Sequence, residues 1–196
     1  MDKIDFLFVG VGGQGILTAS DIAAEVGIAA GYDAKKSEIH GFSQRGGVVE
    51  SHVRWDEHVH APMGMIGHID FLVCFEYLEA ARFVHSLGED GIVVTNTQRM
   101  IPTSVSAGAR TYPENEIIQH ALYQNAHSVI SLDALAIAEE LGNTRMVNTI
   151  VLGALSSQLK VATDVWLDVI AKRVPPKYRD LNHKAFMRGQ NSVALT

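Results

Sequence analysis

Residues 4–15 read I-D-F-L-F-V-G-V-G-G-Q-G, and this stretch decides the fold of the 196-residue chain. An apolar run over residues 4–9 meets a cluster of glycines and then a long helical pattern, which is the order strand, glycine turn, helix. Gly10, Gly12 and Gly15 have the spacing G-x-G-x-x-G, which permits a tight turn, close approach of a ligand to the backbone, and close packing of helix on strand. The free N–H groups at the start of such a helix favour a phosphate or carboxylate. The chain therefore begins like an anion-binding α/β domain.

Strand and helix patterns alternate along most of the chain. Residues 14–31 predict a first helix, whose many small side chains suit close packing on a sheet. Further strands are predicted at 32–37, 48–55, 69–75, 92–95 and 128–132, and further helices at 77–87, 114–124, 134–141, 145–159, 164–173 and 178–190. Asp133 is a good N-cap, while Pro175 and Pro176 separate the last two helices. We expect a single α/β domain over residues 1–196, with a Rossmann-like, open, mostly parallel sheet, flanking helices and a helical C-terminal layer.

The net charge of −6 disfavours general binding of nucleic acids or of anionic membranes by the surface of this chain. Hydrophobic residues make up 47% of the sequence, which is enough to bury one sizeable core. Charge is uneven, because residues 171–196 contain six basic residues and the single acidic residue Asp180, a local charge of +5. The basic residues are Lys172, Arg173, Lys177, Arg179, Lys184 and Arg188. This tail is either a docking surface or an ordinary solvated helix face.

Cys74 is the only cysteine, so an intrachain disulfide and a four-cysteine iron–sulfur or zinc site are both excluded. Any cluster has to come from a partner. Cys74 lies in an apolar strand pattern, where a buried, inert thiol is expected. The N-terminal residues resemble neither a signal peptide nor a membrane span, and we therefore expect a cytoplasmic protein.

The segment 38–47, E-I-H-G-F-S-Q-R-G-G, combines hydrogen-bonding side chains with glycines. In an open α/β sheet the loops that follow the strands meet in one crevice, so this segment is expected beside the first glycine turn. Arg45 could bind a phosphate or carboxylate with two hydrogen bonds, and His40 could donate or accept one. Alternatively, the segment is a structural loop in which Arg45 pairs with Glu50 or Glu38.

Glu38 lies 23 positions after Gly15. A ribose-binding carboxylate is expected ~20 residues after the glycines of a dinucleotide site. However, no later motif suggests a hydride-transfer acid or a substrate domain. A self-sufficient NAD-dependent oxidoreductase and a nucleotide-binding regulatory module both stay open as alternatives.

Other constellations are weaker. His58 and His60 share one face of an extended segment, but the surrounding residues look like an exposed hairpin turn, and no metal site is predicted. Ser43 is not part of a G-x-S-x-G elbow, which disfavours a serine hydrolase. Asn148 either caps a helix or points into the crevice, and Gly153 allows close approach of another backbone.

Four motifs together carry a family resemblance: G-V-G-G-Q-G-I-L from residue 10, S-E-I-H-G-F-S-Q-R-G-G from residue 37, S-H-V-R from residue 51, and N-T-I-V-L-G-A-L from residue 148. With them the chain resembles the gamma subunit or gamma domain of the 2-oxoacid:ferredoxin oxidoreductases over nearly its full length. It is especially similar to the small beta subunit of the indolepyruvate branch.

The resemblance implies a complex that decarboxylates a 2-oxoacid, forms an acyl-coenzyme A and passes two electrons to ferredoxin. Thiamine diphosphate and iron–sulfur clusters would belong to a large partner subunit, no cofactor would be held by this chain alone, and coenzyme A would be a co-substrate. The complex could form a dimer of heterodimers. Aryl pyruvates are favoured as substrates over pyruvate, 2-oxoglutarate and branched oxoacids.

The resemblance also implies a set of residues near the thiamine or coenzyme A region, or at the interface around it. This set comprises Gly10, Gly12, Gly13, Gln14, Gly15, Glu38, His40, Gly41, Ser43, Gln44, Arg45, Gly46 and Asn148. His40 and Arg45 are the candidates for a direct catalytic role.

Overall fold

The computed structural model describes residues 2–40 and 47–193. The strands are β1 (Ile4–Val11), β2 (Asp33–His40), β3 (Val48–Asp56), β4 (Ile69–Cys74), β5 (Leu87–Asn96) and β6 (Ser128–Leu132). The helices are α1 (Ile16–Ala29), α2 (Tyr77–Phe83), α3 (Thr103–Ser106), α4 (Asn115–Asn125), α5 (Ala134–Glu140), α6 (Val147–Ser156), α7 (Thr163–Arg173) and α8 (Arg179–Ser192).

All six strands form one sheet in the order β2-β3-β1-β4-β5-β6. β1, β4, β5 and β6 pair in parallel, whereas β3 is antiparallel to both β1 and β2. Five strands therefore run in the same direction, and their carboxyl ends lie along one edge. The expected mostly parallel α/β fold is confirmed.

The position of β3 corrects the simplest dinucleotide-binding interpretation of the sequence. That interpretation places the second strand directly beside the first, but here β3 is inserted between β1 and β2. β2 and β3 pair along their whole length, from Asp33 opposite Asp56 to His40 opposite Val49. This long antiparallel ladder fixes β2 at the edge of the sheet, two strands away from β1.

Helices cover the sheet on both faces. The larger core lies between the sheet and α1, α5, α6, α7 and α8, and the smaller core lies between the opposite face and α2 and α4. Trp55 is fully buried in the larger core and donates its indole N–H to the carbonyl of Ala23 at 3.1 Å. A side chain at Gly27 would overlap with the Trp55 indole. The small residues of α1 thus allow the close packing of helix on sheet that the sequence predicts.

The C-terminal layer depends on a close crossing of α6 and α8. A Cβ atom at Gly153 would overlap with the backbone carbonyl of Phe186, and one at Gly189 would overlap with that of Ile150. The predicted close backbone approach at Gly153 is confirmed. Because main-chain atoms fill the space on both sides, neither helix can accept a larger residue at the crossing.

Several predicted element ends shift in the structure. The helix expected over residues 77–87 ends at Phe83 and continues as a 3-10 turn, Val84–Ser86, because Leu87 already pairs with Ile69 at the start of β5. The helix expected over 145–159 is a 3-10 turn, Thr144–Met146, followed by α6. Asp133 is confirmed as an N-cap, accepting the amide N–H of Ala136 at 2.9 Å.

Candidate functional site

The glycine turn joins β1 to α1 at the carboxyl edge of the sheet. Gly13 and Gly15 have φ angles of 106° and 77°, a region that favours glycine. The amide of Gly12 donates to the carbonyl of Gly47 at 2.9 Å. The turn therefore touches the residue that immediately precedes β3, so the glycine turn and the end of the segment 38–47 lie side by side.

Gln14 fixes the turn onto the neighbouring strand. Its Oε1 accepts the amide N–H of Val11 at 2.8 Å, and its Nε2 donates to the carbonyl of Phe75, just after β4, also at 2.8 Å. A Cβ atom at Gly10 would lie 2.7 Å from Gln14 Oε1. Gly10 thus leaves room for the Gln14 side chain.

A buried amide continues this connection along the edge. Asn96, at the end of β5, donates from Nδ2 to the same Phe75 carbonyl at 3.4 Å and accepts the amide N–H of Ala134 through Oδ1 at 3.1 Å. The side chains of Gln14 and Asn96 therefore link the ends of β1, β4 and β5 to the start of α5. The edge that carries the glycine turn is rigidly connected across four elements.

Asn148 closes the turn from the opposite side. It lies in the first turn of α6, and its Nδ2 donates to the carbonyl of Gly15 at 3.1 Å. The sequence leaves two roles open for Asn148, a helix cap or a side chain in the crevice. In the structure the side chain reaches into the crevice and donates a hydrogen bond to the glycine turn.

An open cleft of about 590 Å³ lies between the glycine turn and the start of α6. Its lining comprises Gly12, Gly13, Gln14, Gly15, Gln98, Met100, Leu135, Thr144, Arg145, Val147 and Asn148. The glycine turn and Asn148, both expected from the sequence, are therefore brought together. Gln98, Met100, Leu135, Thr144, Arg145 and Val147 are lining residues that the sequence did not single out.

Two helices begin at this cleft. α1 starts after Gly15 and has neither a side-chain N-cap nor an acidic residue in its first turn, whereas α6 continues the 3-10 turn Thr144–Met146, at whose start Asn143 accepts the amide N–H of Arg145 at 3.0 Å. Among the described residues no side chain caps the N-terminus of α1, so the partial positive charge of that helix is open to the cleft. This arrangement favours an anionic group in the cleft.

Arg145 adds a full positive charge. Its side chain is exposed at the cleft, and within residues 2–40 and 47–193 no carboxylate pairs with its guanidinium. A guanidinium of this kind can bind a phosphate or carboxylate with two hydrogen bonds. In the sequence Arg145 is one basic residue at the start of a predicted helix. Its one distinguishing signal is its position three residues before Asn148, where the N-T-I-V motif begins.

Glu38 does not take the position of a ribose-binding acid. It forms an ion pair with Lys36 of the same strand, and Lys36 also pairs with Asp21 on α1. Because β3 separates β2 from β1, Glu38 is two strand spacings, roughly 10 Å, from the strand that leads into the glycine turn. The structure thus corrects the dinucleotide-site interpretation of this residue.

The remaining polar segment is only partly described. The backbone of His40 ends β2 opposite Val49. The side chain of His40, together with Gly41, Ser43, Gln44, Arg45 and Gly46, lies outside the described residues, so their expected roles stay predictions.

Cys74 is fully buried, and burial raises the pKa of its thiol well above the usual value. An inert thiol is therefore confirmed, since only the thiolate is reactive. His58 and His60 are exposed beyond the end of β3. Across the described ranges, no group of three or more His, Cys, Asp or Glu side chains is arranged to hold a metal ion.

The basic tail is partly neutralised within the chain. Arg173 pairs with Glu25 at 2.7 Å and with Asp21 at 3.3 Å, both on α1, and Arg188 pairs with Glu140 at 2.5 Å. These contacts join α7 and α8 to the helices beside them, which weakens the interpretation of the tail as a docking surface. In the part of the chain that the structure describes, no helix is both long and apolar enough to cross a bilayer.

Comparison with known proteins decides the family. The family model for pyruvate ferredoxin/flavodoxin oxidoreductase matches residues 5–192. The chain belongs to this family. The resemblance carried by the glycine turn and the 38–47 segment is thereby confirmed.

Members of the pyruvate ferredoxin/flavodoxin oxidoreductase family match the chain over nearly its whole length. Indolepyruvate oxidoreductase subunit IorB of Pyrococcus horikoshii is 36% identical over 192 residues, which are 96% of this chain and 95% of that protein. The protein of the same name from Archaeoglobus fulgidus is 37% identical over 193 residues, covering 97% and 96%. The crystal structure of the gamma subunit of a keto/oxoacid ferredoxin oxidoreductase from Geobacter sulfurreducens shares the fold, with a TM-score of 0.72, 22% identity, and coverage of 98% and 99%.

Proposed function

We propose that this chain is the small subunit of a 2-oxoacid:ferredoxin oxidoreductase, acting as a single gamma-type domain in the cytoplasm. The complex converts a 2-oxoacid, coenzyme A and two oxidised ferredoxins to an acyl-coenzyme A, carbon dioxide, a proton and two reduced ferredoxins. The observation that supports this proposal is the match, over nearly the full length of both proteins, to indolepyruvate oxidoreductase subunits. An aryl pyruvate such as indolepyruvate is the favoured substrate.

The chain depends on a large partner subunit for its redox chemistry. Thiamine diphosphate, which supplies the carbanion chemistry of decarboxylation, and the iron–sulfur clusters belong to that partner in this proposal. The residues of this chain do not suit a cluster, because its one thiol is buried in a strand and clusters are held by several cysteine thiolates. The small subunit alone is then inactive, and two heterodimers form the complete assembly.

The cleft at the glycine turn binds an anionic group of coenzyme A. The uncapped N-terminus of α1 and the guanidinium of Arg145 border it, so phosphate groups find both backbone donors and a positive charge there. Gln14 and Asn148 hold the glycine turn in place through their hydrogen bonds to Phe75 and Gly15. The chain thereby contributes substrate binding and orientation.

Anaerobic affinity purification of the tagged chain from its native cells tests the subunit assignment. We expect a brown, thiamine-containing large subunit to co-purify, and the eluate to reduce viologen when coenzyme A and indolepyruvate are supplied. Phenylpyruvate, pyruvate and 2-oxoglutarate are compared in the same assay to rank the substrates. A colourless chain that is recovered alone and binds NADH would contradict the proposal.

The coenzyme A cleft is tested separately with the assembled complex. Arg145→Gln should raise the KM for coenzyme A by about tenfold or more, with little change in the KM for the oxoacid. Arg110→Gln, an exposed arginine outside the cleft lining, is the matched control. An unchanged KM for coenzyme A in Arg145→Gln would remove the cleft from coenzyme A binding without affecting the subunit assignment.

A further inference from the structure

The sheet face that carries the smaller core is covered in two different ways. α2 packs over β1 and β4, while an irregular segment, residues 61–66, lies over β3 and β1. Arg54 of β3 donates to the carbonyl of Ala61 at 2.7 Å, and the Cβ position of Gly64 is 3.7 Å from Nδ1 of His52. This short strip takes the place that a helix occupies over the central strands.

Apolar side chains are concentrated on this strip. Met63, Met65 and Ile66 of the strip are 49%, 67% and 72% exposed, and Ile39 on the edge strand β2, which lines one pocket together with Met63 and Ile66, is 40% exposed. They are four of the eight large hydrophobic residues exposed in the described ranges. We call these four residues the apolar patch. A contiguous exposed patch of this kind, with polar groups next to it, typically marks an interaction site.

A partly open pocket of about 150 Å³ lies beside the apolar patch, with Glu50, His52 and His85 among its walls. Among the described residues, Nδ1 of His52, in the pocket wall, and Oε2 of Glu79, on α2, are buried polar atoms without a hydrogen-bond partner. The two residues are only 6% and 4% exposed. Buried polar atoms without partners are costly, so they indicate contacts that another molecule completes.

The pocket is also acidic. Burial raises the pKa of Glu50, and the charge of Arg82 opposes this rise. The guanidinium of Arg82 is already bound to Oε1 of Glu79 at 2.8 Å. Burial raises the pKa of Glu79 as well, and the nearby charge of Glu50 adds to that effect. Within the part of the chain that the structure describes, the two carboxylates therefore share the charge of Arg82, and a further positive charge would be accommodated.

We propose that the apolar patch docks the large partner subunit, which inserts a lysine or arginine, flanked by apolar residues, into the pocket beside Glu50. This inference rests on the proposed function, which supplies that partner. The inserted cation pairs with Glu50, and its neighbours bury Ile66 and Met65. A hydrogen-bond donor of the same partner segment reaches Nδ1 of neutral His52.

A second copy of this chain fits the pocket less well. In a twofold dimer the same surface meets itself, so the cation would have to come from beside the apolar patch. Lys35 and Arg54 are the basic residues on this face of β2 and β3, and both are engaged. Lys35 binds Asp33 and the carbonyl of Val59, while Arg54 binds Asp5.

The test uses the purified large subunit and measures its Kd for wild-type and variant small subunits by biolayer interferometry. Ile66→Asp should weaken binding about tenfold or more, because it places a charge in a desolvated contact. Ile117→Asp is the matched control, since Ile117 on α4 is 62% exposed and lies outside the patch. Equal thermal unfolding temperatures of the two variants would show that both are folded.

Glu50→Gln provides a second, electrostatic readout. It should weaken binding several-fold and flatten the dependence of the Kd on salt, because it removes the charge that the partner's cation meets. Wild-type affinity in Ile66→Asp, or an unaltered salt dependence in Glu50→Gln, would overturn the docking proposal alone. If the isolated chain self-associates and Ile66→Asp abolishes that association, the apolar patch binds a second copy of the chain instead. If the wild-type chain binds no large subunit at all, the proposed function fails together with this inference.

Discussion

The side-chain amide of Asn148 donates to the carbonyl of Gly15 at 3.1 Å, which joins two residues 133 positions apart. Gly15 has a φ of 77°, and a Cβ atom added to it would overlap with the same Asn148 amide. The residue before α1 is thus restricted twice, once by its backbone conformation and once by its partner. Each restriction can be measured separately.

Gly15→Ala should destabilise the fold by about 2–4 kcal/mol, because the positive φ and the overlap with Asn148 both add to the cost. Asn148→Ala should cost about 1 kcal/mol, the typical contribution of one hydrogen bond. In the double variant the overlap is gone, so the total should be clearly less than the sum of the two single losses. Urea unfolding of the four proteins gives the coupling free energy. Strict additivity would show that the two residues do not restrict each other.

The crossing of α6 and α8 should tolerate no added carbon. Gly153→Ala and Gly189→Ala each place a Cβ against backbone atoms of the opposite helix, and we expect each to lose about 3 kcal/mol or more. Gly142→Ala is the control: Gly142 has a φ of 78° but no atom within 4 Å of its Cβ position, so only about 1 kcal/mol of backbone strain is expected. Chemical denaturation measures all three. Similar losses at Gly142 and Gly153 would mean that the helices move apart freely.

Stability should fall below neutral pH through His52. Burial lowers the pKa of this histidine from 6.5, while Asp5 opposes that effect and Arg54 adds to it. The unfolded chain therefore binds a proton more readily than the folded chain, and stability that is present above pH 6.5 is lost as the pH falls towards the lower folded pKa. His52→Gln should remove this loss, which is at most about 1.4 kcal/mol per pH unit. Parallel stability curves for the two proteins between pH 7.5 and about 5.5 would contradict the prediction.

The buried pair of Asp5 and Arg54 should govern stability at more acid pH. Burial tends to raise the pKa of Asp5, but hydrogen bonds from Arg54 and Lys3 outweigh burial and hold the pKa below 3.8. Its contribution is therefore present above pH 3.8 and is lost as the pH falls through the folded value.

Asp5→Asn should cost about 3 kcal/mol at pH 7, because it leaves Arg54 without its carboxylate partner. Lys3→Ala is the control, since Lys3 is 48% exposed and its pairing with Asp5 should contribute less than about 1 kcal/mol. The difference in free energy of unfolding between wild type and Asp5→Asn should shrink below about pH 4. A difference that stays constant down to pH 2.5 would show that the ion pair does not set the acid limit.

The sequence predicted those parts of the molecule that local patterns determine. The strand, glycine turn and helix at residues 4–31 follow from apolar periodicity and glycine spacing, and so does the cap at Asp133. The insertion of β3 between β1 and β2 could not be predicted from the sequence, because strand order depends on pairing between distant residues. Because of this pairing, Glu38 lies on the edge strand and not beside the strand that leads into the glycine turn.

The candidate cleft was predicted in part for a similar reason. The glycine turn and Asn148 belong to recognisable motifs, whereas Arg145 becomes a cleft residue only because α6 begins at the same edge of the sheet. The pocket at His52 had no signal, since its character depends on an unpartnered nitrogen and on a covering segment. Burial and missing partners are properties of the folded chain.

Because β3 is antiparallel, the two segments that meet at the carboxyl edge of the sheet are held in place in different ways. β2 and β3 pair directly, so the register of His40 with Val49 is set by the ladder itself and not by the helices of the core. An insertion between Val11 and Ile16 would instead displace α1 and break the contacts of Gln14. The length of the glycine turn is thus held constant by the core, whereas the ladder of β2 and β3 depends on its own pairing.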